Sequence, residues 1–223
     1  MKIAASFSAL FALALVACSS SGGSTSSSDP VDPGIEGGSG ATQETNGKGD
    51  VYPTANQGTK KGNTIKNYKF VGYLDADKAD GLKPISLADF YDPTGETYEL
   101  IHIQASGTWC SVCKAETQAT VPLADQIKAR KVAWIITIAE GPTPGVPSTQ
   151  QDLDKWMSTF NAPFTHVLDP GNKNLGPFYD AAALPWNANI NAKTMEILSA
   201  GVGGTNDGAA ILKEIDAALA QVK

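Results

Sequence analysis

The sequence predicts one three-layer α/β domain, a central mixed sheet flanked by helices, with a strand or hairpin extension on its N-terminal side. Three observations carry that prediction. Strand-like and helix-like segments alternate through the middle of the chain, the pattern of a parallel core. Val132 to Ala139 (VAWIITIA) is a continuous apolar run of strand length, rich in β-branched residues, as a strand buried on both faces requires. Past residue 185, two short strand-like runs flank a polar turn, so antiparallel strands extend the sheet.

The elements follow in order. Tyr68 to Tyr73 alternates enough for a short strand, and Pro84 to Tyr91 holds a short strand and one helical turn. Tyr98 to Ala105 reads as a strand. A helix follows it, with Val112, Ala115, Ala119, Leu123 and Ile127 at helical spacing. Pro122 lies inside that helix and should kink it, because proline removes a backbone donor and crowds the preceding turn. After the Val132–Ala139 strand, Glu140 to Ser148 is a Pro/Gly loop. Leu153, Trp156, Met157 and Phe160 mark an amphipathic helix capped by Ser148 or Thr149. Phe164 to Leu168 is the next strand. Trp186–Ile190 and Met195–Ser199 form a hairpin around Asn191–Thr194. Leu212, Ile215, Leu219 and Val222 mark a closing helix behind the cap candidates Thr205, Asn206 and Asp207.

Composition narrows the function. With 17 Lys+Arg against 23 Asp+Glu the net charge is −6, which argues against nucleic acid, whose phosphates need a cationic face. No internal run reaches the roughly 18 apolar residues of a membrane span. Three cysteines are too few for a disulfide scaffold, so each needs its own explanation.

Cys18 belongs to the N-terminus. Met1 to Ala17 carries one cation, Lys2, and then an apolar run, the arrangement of a secretory signal. Leu15-Val16-Ala17-Cys18-Ser19 resembles the lipobox of bacterial lipoproteins. That resemblance implies cleavage before Cys18, lipid on its sulfur and new amine, and anchoring of the head to a membrane of the cell envelope. Ser19 in place of Asp implies the outer membrane, with the head in the periplasm. Residues 19–50 are about half Ser and Gly without apolar periodicity, a flexible coil whose typical reach is roughly 30 Å. The chain thus divides into a signal peptide (1–17), a lipidated Cys with its tether (18–62) and a folded domain (63–223).

The other two cysteines sit between the first core strand and its helix, in Gly107-Thr108-Trp109-Cys110-Ser111-Val112-Cys113-Lys114-Ala115-Glu116. At a helix N-terminus, unpaired amides and the macrodipole favour an anion, so the Cys110 thiol should ionise readily and act as nucleophile. Cys113, one turn on and more deeply covered, can resolve. A purely structural disulfide across so small a loop would stabilise little. A zinc site needs four ligands, and only His102 and His166 remain to complete one. No metal and no cofactor beyond the Cys110/Cys113 couple is expected.

GTWCxxCKxE with this strand order resembles the thioredoxin superfamily, in particular the TlpA/ResA-like redoxin branch of exported thiol–disulfide oxidoreductases, over roughly residues 68–222. Val167-Leu168-Asp169, Tyr179 and Leu184-Pro185 match that family's strand-end Asp, Tyr and cis-proline. The resemblance implies a thioredoxin-like fold, a cis Pro185 facing the disulfide, and a Leu184 backbone that hydrogen-bonds a bound substrate chain. Trp109 would pack beside the sulfurs and shield a mixed disulfide. Glu116 matches the family's acidic residue three after the second cysteine; a carboxylate there can relay a proton, or merely complement the helix dipole. The chain departs from the pattern at Ala105-Ser106, where aromatic bulk is usual, at Thr117-Gln118, which lacks a Pro, at Trp186, and in the polar strand Asn187–Asn191.

The leading expectation is therefore a lipid-anchored enzyme exchanging its dithiol with disulfides of envelope proteins. Ser111-Val112 holds no histidine or charge to depress the Cys110 pKa further, which favours a reductase recharged by a membrane electron donor. A peroxiredoxin-like peroxidase is the alternative enzyme, although Gly107 stands where such sites carry Thr and Arg130 is the one Arg. A copper chaperone would use the Cys pair with His166. A purely structural display module is the remaining possibility.

Overall fold

The computed structural model describes residues 43–180 and 182–222. Its elements run β1 (Lys69–Tyr73), β2 (Lys83–Ser86), β3 (Leu100–Gly107), α1 (Ser111–Thr120), α2 (Ala124–Ala129), β4 (Val132–Glu140), α3 (Gln150–Phe160), β5 (Thr165–Leu168), β6 (Trp186–Asn191), β7 (Ile197–Val202) and α4 (Gly208–Leu219). One seven-stranded sheet has the order β2-β1-β5-β4-β3-β6-β7. β3, β4 and β5 are parallel; β6 joins β3, and β1 joins β5, antiparallel. Every residue of β3 and β4 is buried, as the apolar run Val132–Ala139 requires of a central strand.

Alternation along β3 divides the core into two layers. Ile101, Ile103 and Ala105 face one layer with Tyr52, Phe90, Tyr179 and Trp186. Leu100 faces the other, where Cys110, Cys113, Trp156, Ile211 and Ile215 pack. Thr149 caps α3: its hydroxyl lies 3.4 Å from the Asp152 N–H, and Asp152 accepts the Thr149 N–H at 2.8 Å. Ser148, the other cap candidate, donates instead to the Ile138 carbonyl. Asp207 caps α4 through the Ala209 N–H.

Pro122 breaks the helix after β3 into α1, a 3₁₀ turn at Val121–Leu123 and α2. The buried face of α1 is not the apolar one expected from spacing. Cys113, Glu116, Thr117 and Thr120 are buried, whereas Val112 is 47% exposed. Polar side chains occupy this face because the sheet offers them partners: Gln104 Nε2 donates to Thr117 Oγ1 at 2.9 Å and to the Cys113 carbonyl at 3.3 Å.

Residues 43–62, part of the stretch expected as tether, pack against the domain. Tyr52 is 1% exposed, lies edge-on to Tyr91 and donates its hydroxyl to the Ile65 carbonyl at 2.8 Å. The Gly62 and Ile65 amides bond the carbonyls of Ile197 and Met195. Burial of this ring and the hydrogen bonds to Ile65, Met195 and Ile197 offset part of the cost of ordering the polar residues around it. Cys18, with the signal and lipidation reading, lies outside the described residues. Among the described residues no helix is long and apolar enough to cross a membrane.

Candidate active site

At the end of β3 the chain turns through Gly107-Thr108-Trp109 and enters α1 with Cys110 as the N-cap. Cys110 and Cys113 form a disulfide, and Cys110 Sγ accepts the Cys113 N–H at 3.1 Å. That amide is one of the helix's unpaired donors, so it and the macrodipole favour a thiolate at Cys110 once the bond opens. The expected contrast in exposure between the sulfurs is slight: Cys110 is 2% and Cys113 0% exposed.

Trp109 and Leu184 pack in the layer that holds the pair. Trp109 donates its indole N–H to Glu140 Oε2 at 2.6 Å, and Thr108 N–H bonds the Glu140 carbonyl. Leu184 precedes a cis peptide bond to Pro185 and packs against both core layers. A Cβ at Gly107 would lie 3.0 Å from Trp109 Nε1 and 3.1 Å from Leu184 Cδ1, so a side chain here would crowd both. A cleft of about 500 Å³ opens beside Trp109, lined in part by Lys114, Lys155, Trp156 and Phe160.

Glu116, one turn beyond Cys113, is 4% exposed. Both carboxylate oxygens accept from Asn187 Nδ2, at 3.0 and 3.2 Å, and Oε1 faces the Thr205 N–H at 3.4 Å. Burial pushes its pKa up to about 7, with a smaller push from Glu214; the hydrogen bonds of Asn187 and Thr205 oppose it. Glu116 is thus a buried carboxyl poised near neutrality rather than an exposed complement to the helix dipole.

Trp186 does not crowd the site. It faces the opposite layer, stacked on Tyr179 with centroids 5.3 Å apart, and pairs across the sheet with Ala105. The aromatic bulk missing from β3 is supplied by its neighbour. Asp169 is buried and accepts the amides of Asn174 and Leu175, so it shapes the loop after β5. His166 lies on β5 with Nδ1 on the Phe164 carbonyl, two strands from β3. Among the described residues no group of three or more His, Cys, Asp or Glu could hold a metal ion.

Sequence reasoning missed Glu140, Asn187 and His102 as contributors to this region. In the sequence Glu140 opens a Pro/Gly loop, and the polarity of Asn187–Asn191 is the one signal that points to Asn187.

Solved structures with the same architecture include a putative thiol:disulfide interchange protein DsbE from Chlorobium tepidum. It has a TM-score of 0.55 and 18% identity, over 73% of this chain and 99% of that one. The fold is thioredoxin-like. The pneumococcal exposed lipoprotein thioredoxin of Streptococcus pneumoniae strain TIGR4 matches at a TM-score of 0.50 and 20% identity, over 68% of this chain and 99% of its own. A reduced 2-Cys peroxiredoxin from Plasmodium vivax matches at 0.53 and 16%, over 70% and 94%. Thiol oxidoreductases and peroxidases share the thioredoxin-like fold, so the side chains at the site must distinguish them. No protein-family model and no curated protein sequence matches the chain.

Proposed function

We propose that this protein is a dithiol–disulfide oxidoreductase that reduces disulfides of envelope proteins. The observation that carries the reading is the Cys110–Cys113 pair at the N-terminus of α1, with the cis Leu184–Pro185 bond on one side and the buried Glu116 carboxyl one turn on. In the reduced protein Cys110 thiolate attacks one substrate sulfur, forming a mixed disulfide and releasing the other substrate sulfur as a thiolate. Cys113 then gives its proton to Glu116, attacks Cys110 Sγ and displaces the second substrate thiolate. Two electrons pass from protein to substrate. Leu184 backbone groups receive the substrate chain and Trp109 shields the mixed disulfide. Lys114 and Lys155, in no ion pair among the described residues, outnumber the one carboxylate of the cleft, Asp152, and favour acidic residues beside the substrate disulfide.

The anchor is part of the same proposal and rests on Cys18 and its lipobox-like setting, whose resemblance implies a head held near a membrane, the outer one by Ser19. A reductase in an oxidising compartment must be recharged, so a membrane electron donor is its partner.

The peroxidase reading finds less support. A Thr at position 107 would meet Trp109 and Leu184, and Arg130 is held by Asp216 after α2, at the opposite end of the sheet from Cys110. A copper chaperone would need His166, whose Nδ1 is committed to a carbonyl two strands from β3. Reduction of a disulfide-bonded protein with C110S and C113S as controls tests the proposal. Loss of turnover in C110S and accumulation of a mixed disulfide in C113S support it; peroxide consumption faster than disulfide reduction contradicts it.

A further inference from the structure

The polarity of β6 has a partner in the redox helix. Trp186, Ala188 and Ile190 face the apolar layer, so Asn187 and Asn189 face the layer that holds the cysteines. Asn187 uses both amide hydrogens, one on the Glu116 carboxylate and one on the Gly203 carbonyl at 2.9 Å. Its orientation is thereby fixed, and Oδ1 faces His102 Nε2 at 3.2 Å. An amide oxygen only accepts, so the proton of the neutral ring sits on Nε2. Nδ1 lies 2.9 Å from Asn189 Oδ1, while Asn189 Nδ2 donates to Ser199 Oγ at 3.1 Å. A half-turn of the Asn189 amide, which the Ser199 hydroxyl can follow, serves this tautomer.

The ring is clamped as well. It stacks on Trp134 with centroids 3.8 Å apart, and burial keeps it neutral, its pKa pushed down to about 4. From the other side the loop after β7 presses on the carboxyl. A side chain at Gly204 would place Cβ 2.7 Å from Cδ and both oxygens of Glu116. The neighbouring Gly203 donates its N–H to the Pro185 carbonyl, so one loop touches both the cis-proline and Glu116's partner. Apolar residues of similar size would hold the sheet equally well, since a buried polar chain is costly to desolvate. Its placement against the redox helix is what calls for a role.

We propose that Asn187 and His102 are positioning residues for the exchange reaction: His102 locks the Asn187 amide, and Asn187 fixes the Glu116 carboxyl and sets how tightly it holds the proton taken from Cys113. This rests on the reading that Glu116 serves Cys113. In the resolving step the Cys113 S–H proton moves to Glu116, the Cys113–Cys110 bond forms as the Cys110–substrate bond breaks, and the departing thiolate takes the proton from Glu116. The carboxylate ends as it began. The groups facing the Glu116 carboxyl are Asn187, backed by His102, Glu214 of α4, and the peptide groups of Gly204 and Thr205; Cys113 lies one turn before it on the same helix.

Carboxyl-carbon NMR of the oxidised full chain, together with the pH profile of mixed-disulfide resolution, tests this. In the wild-type protein the Asn187 side-chain amide and the His102 ring signals should move with the Glu116 midpoint near neutrality. N187L should raise that midpoint by about one unit, the effect of losing a charge-assisted hydrogen bond. H102F, which keeps the stack on Trp134, should raise it less, and should add nothing in the N187L background. E116Q should abolish the neutral step in the resolution profile. An E116Q profile equal to wild type would remove the Glu116 reading and this proposal with it. A Glu116 midpoint that ignores N187L and H102F, or wild-type amide and ring signals that do not follow it, would overturn the proposal while leaving that reading intact.

Discussion

The Trp109 indole N–H and the Glu140 carboxylate meet at 2.6 Å, tying the residue before the nucleophile to the end of the neighbouring parallel strand. Glu140 is 6% exposed, so removing the donor leaves a buried carboxylate oxygen short of a partner. Trp109→Phe should therefore destabilise the oxidised protein by about 2 kcal/mol, the scale of a hydrogen bond to a charged group. The double variant with Glu140→Gln should cost less than the sum of the two singles. Urea unfolding of the four proteins measures the coupling, and strict additivity would mean the contact is idle.

Glu116 and the two buried histidines pull stability in opposite directions with pH. The Glu116 pKa rises from 4.5 unfolded to about 7 folded, so the folded state holds the extra proton and loses stability as pH climbs through that window. The full effect is about 3 kcal/mol. His102 and His166 are pushed down from 6.5 to about 4, so the unfolded state holds those protons and stability rises with pH from about 4 to 6.5. E116Q should match wild type near pH 4 and exceed its stability progressively toward pH 8. Parallel stability curves for the two proteins would contradict the raised carboxyl.

Tyr52 marks where the domain begins. Tyr52→Ala should cost about 3 kcal/mol for the emptied aromatic site, and Tyr52→Phe about 1 kcal/mol for the bond to Ile65. A chain starting at residue 63 should unfold at lower temperature than one starting at residue 43. Equal melting temperatures would return residues 43–62 to the tether.

Much of the fold is legible in local sequence because its causes are local. Val132–Ala139 is apolar because its strand is covered on both faces, Pro122 breaks a helix wherever it stands, and the cysteine spacing sets a helix N-terminus. The remainder depends on partners distant in the chain. The apolar face expected for α1 fails because its buried side is polar, matched by Gln104 on β3 and Asn187 on β6. Nothing near Tyr52 announces Ile65 and Tyr91 as its cover, so a Gly-containing polar stretch reads as tether. At the site, the disulfide pair is visible from its spacing, whereas Glu140 and His102 gain meaning only once β4 and β6 flank β3.

Lys114 and Lys155 flank the cleft beside Trp109 without ion-pair partners among the described residues. Reversing both, in K114E/K155E, should raise KM for a disulfide peptide with acidic flanks several-fold and lower it for a basic one, with kcat little changed. Added salt should shrink the difference. Equal effects on both peptides would place the substrate elsewhere.

The most direct test is the midpoint potential of the Cys110/Cys113 couple, measured by equilibration with a thiol–disulfide buffer. A reversible two-electron couple at or below about −250 mV, toward the thioredoxin end of the range, is the predicted result. A value near about −120 mV would contradict the reductase direction, and the absence of any reversible couple would contradict dithiol exchange itself.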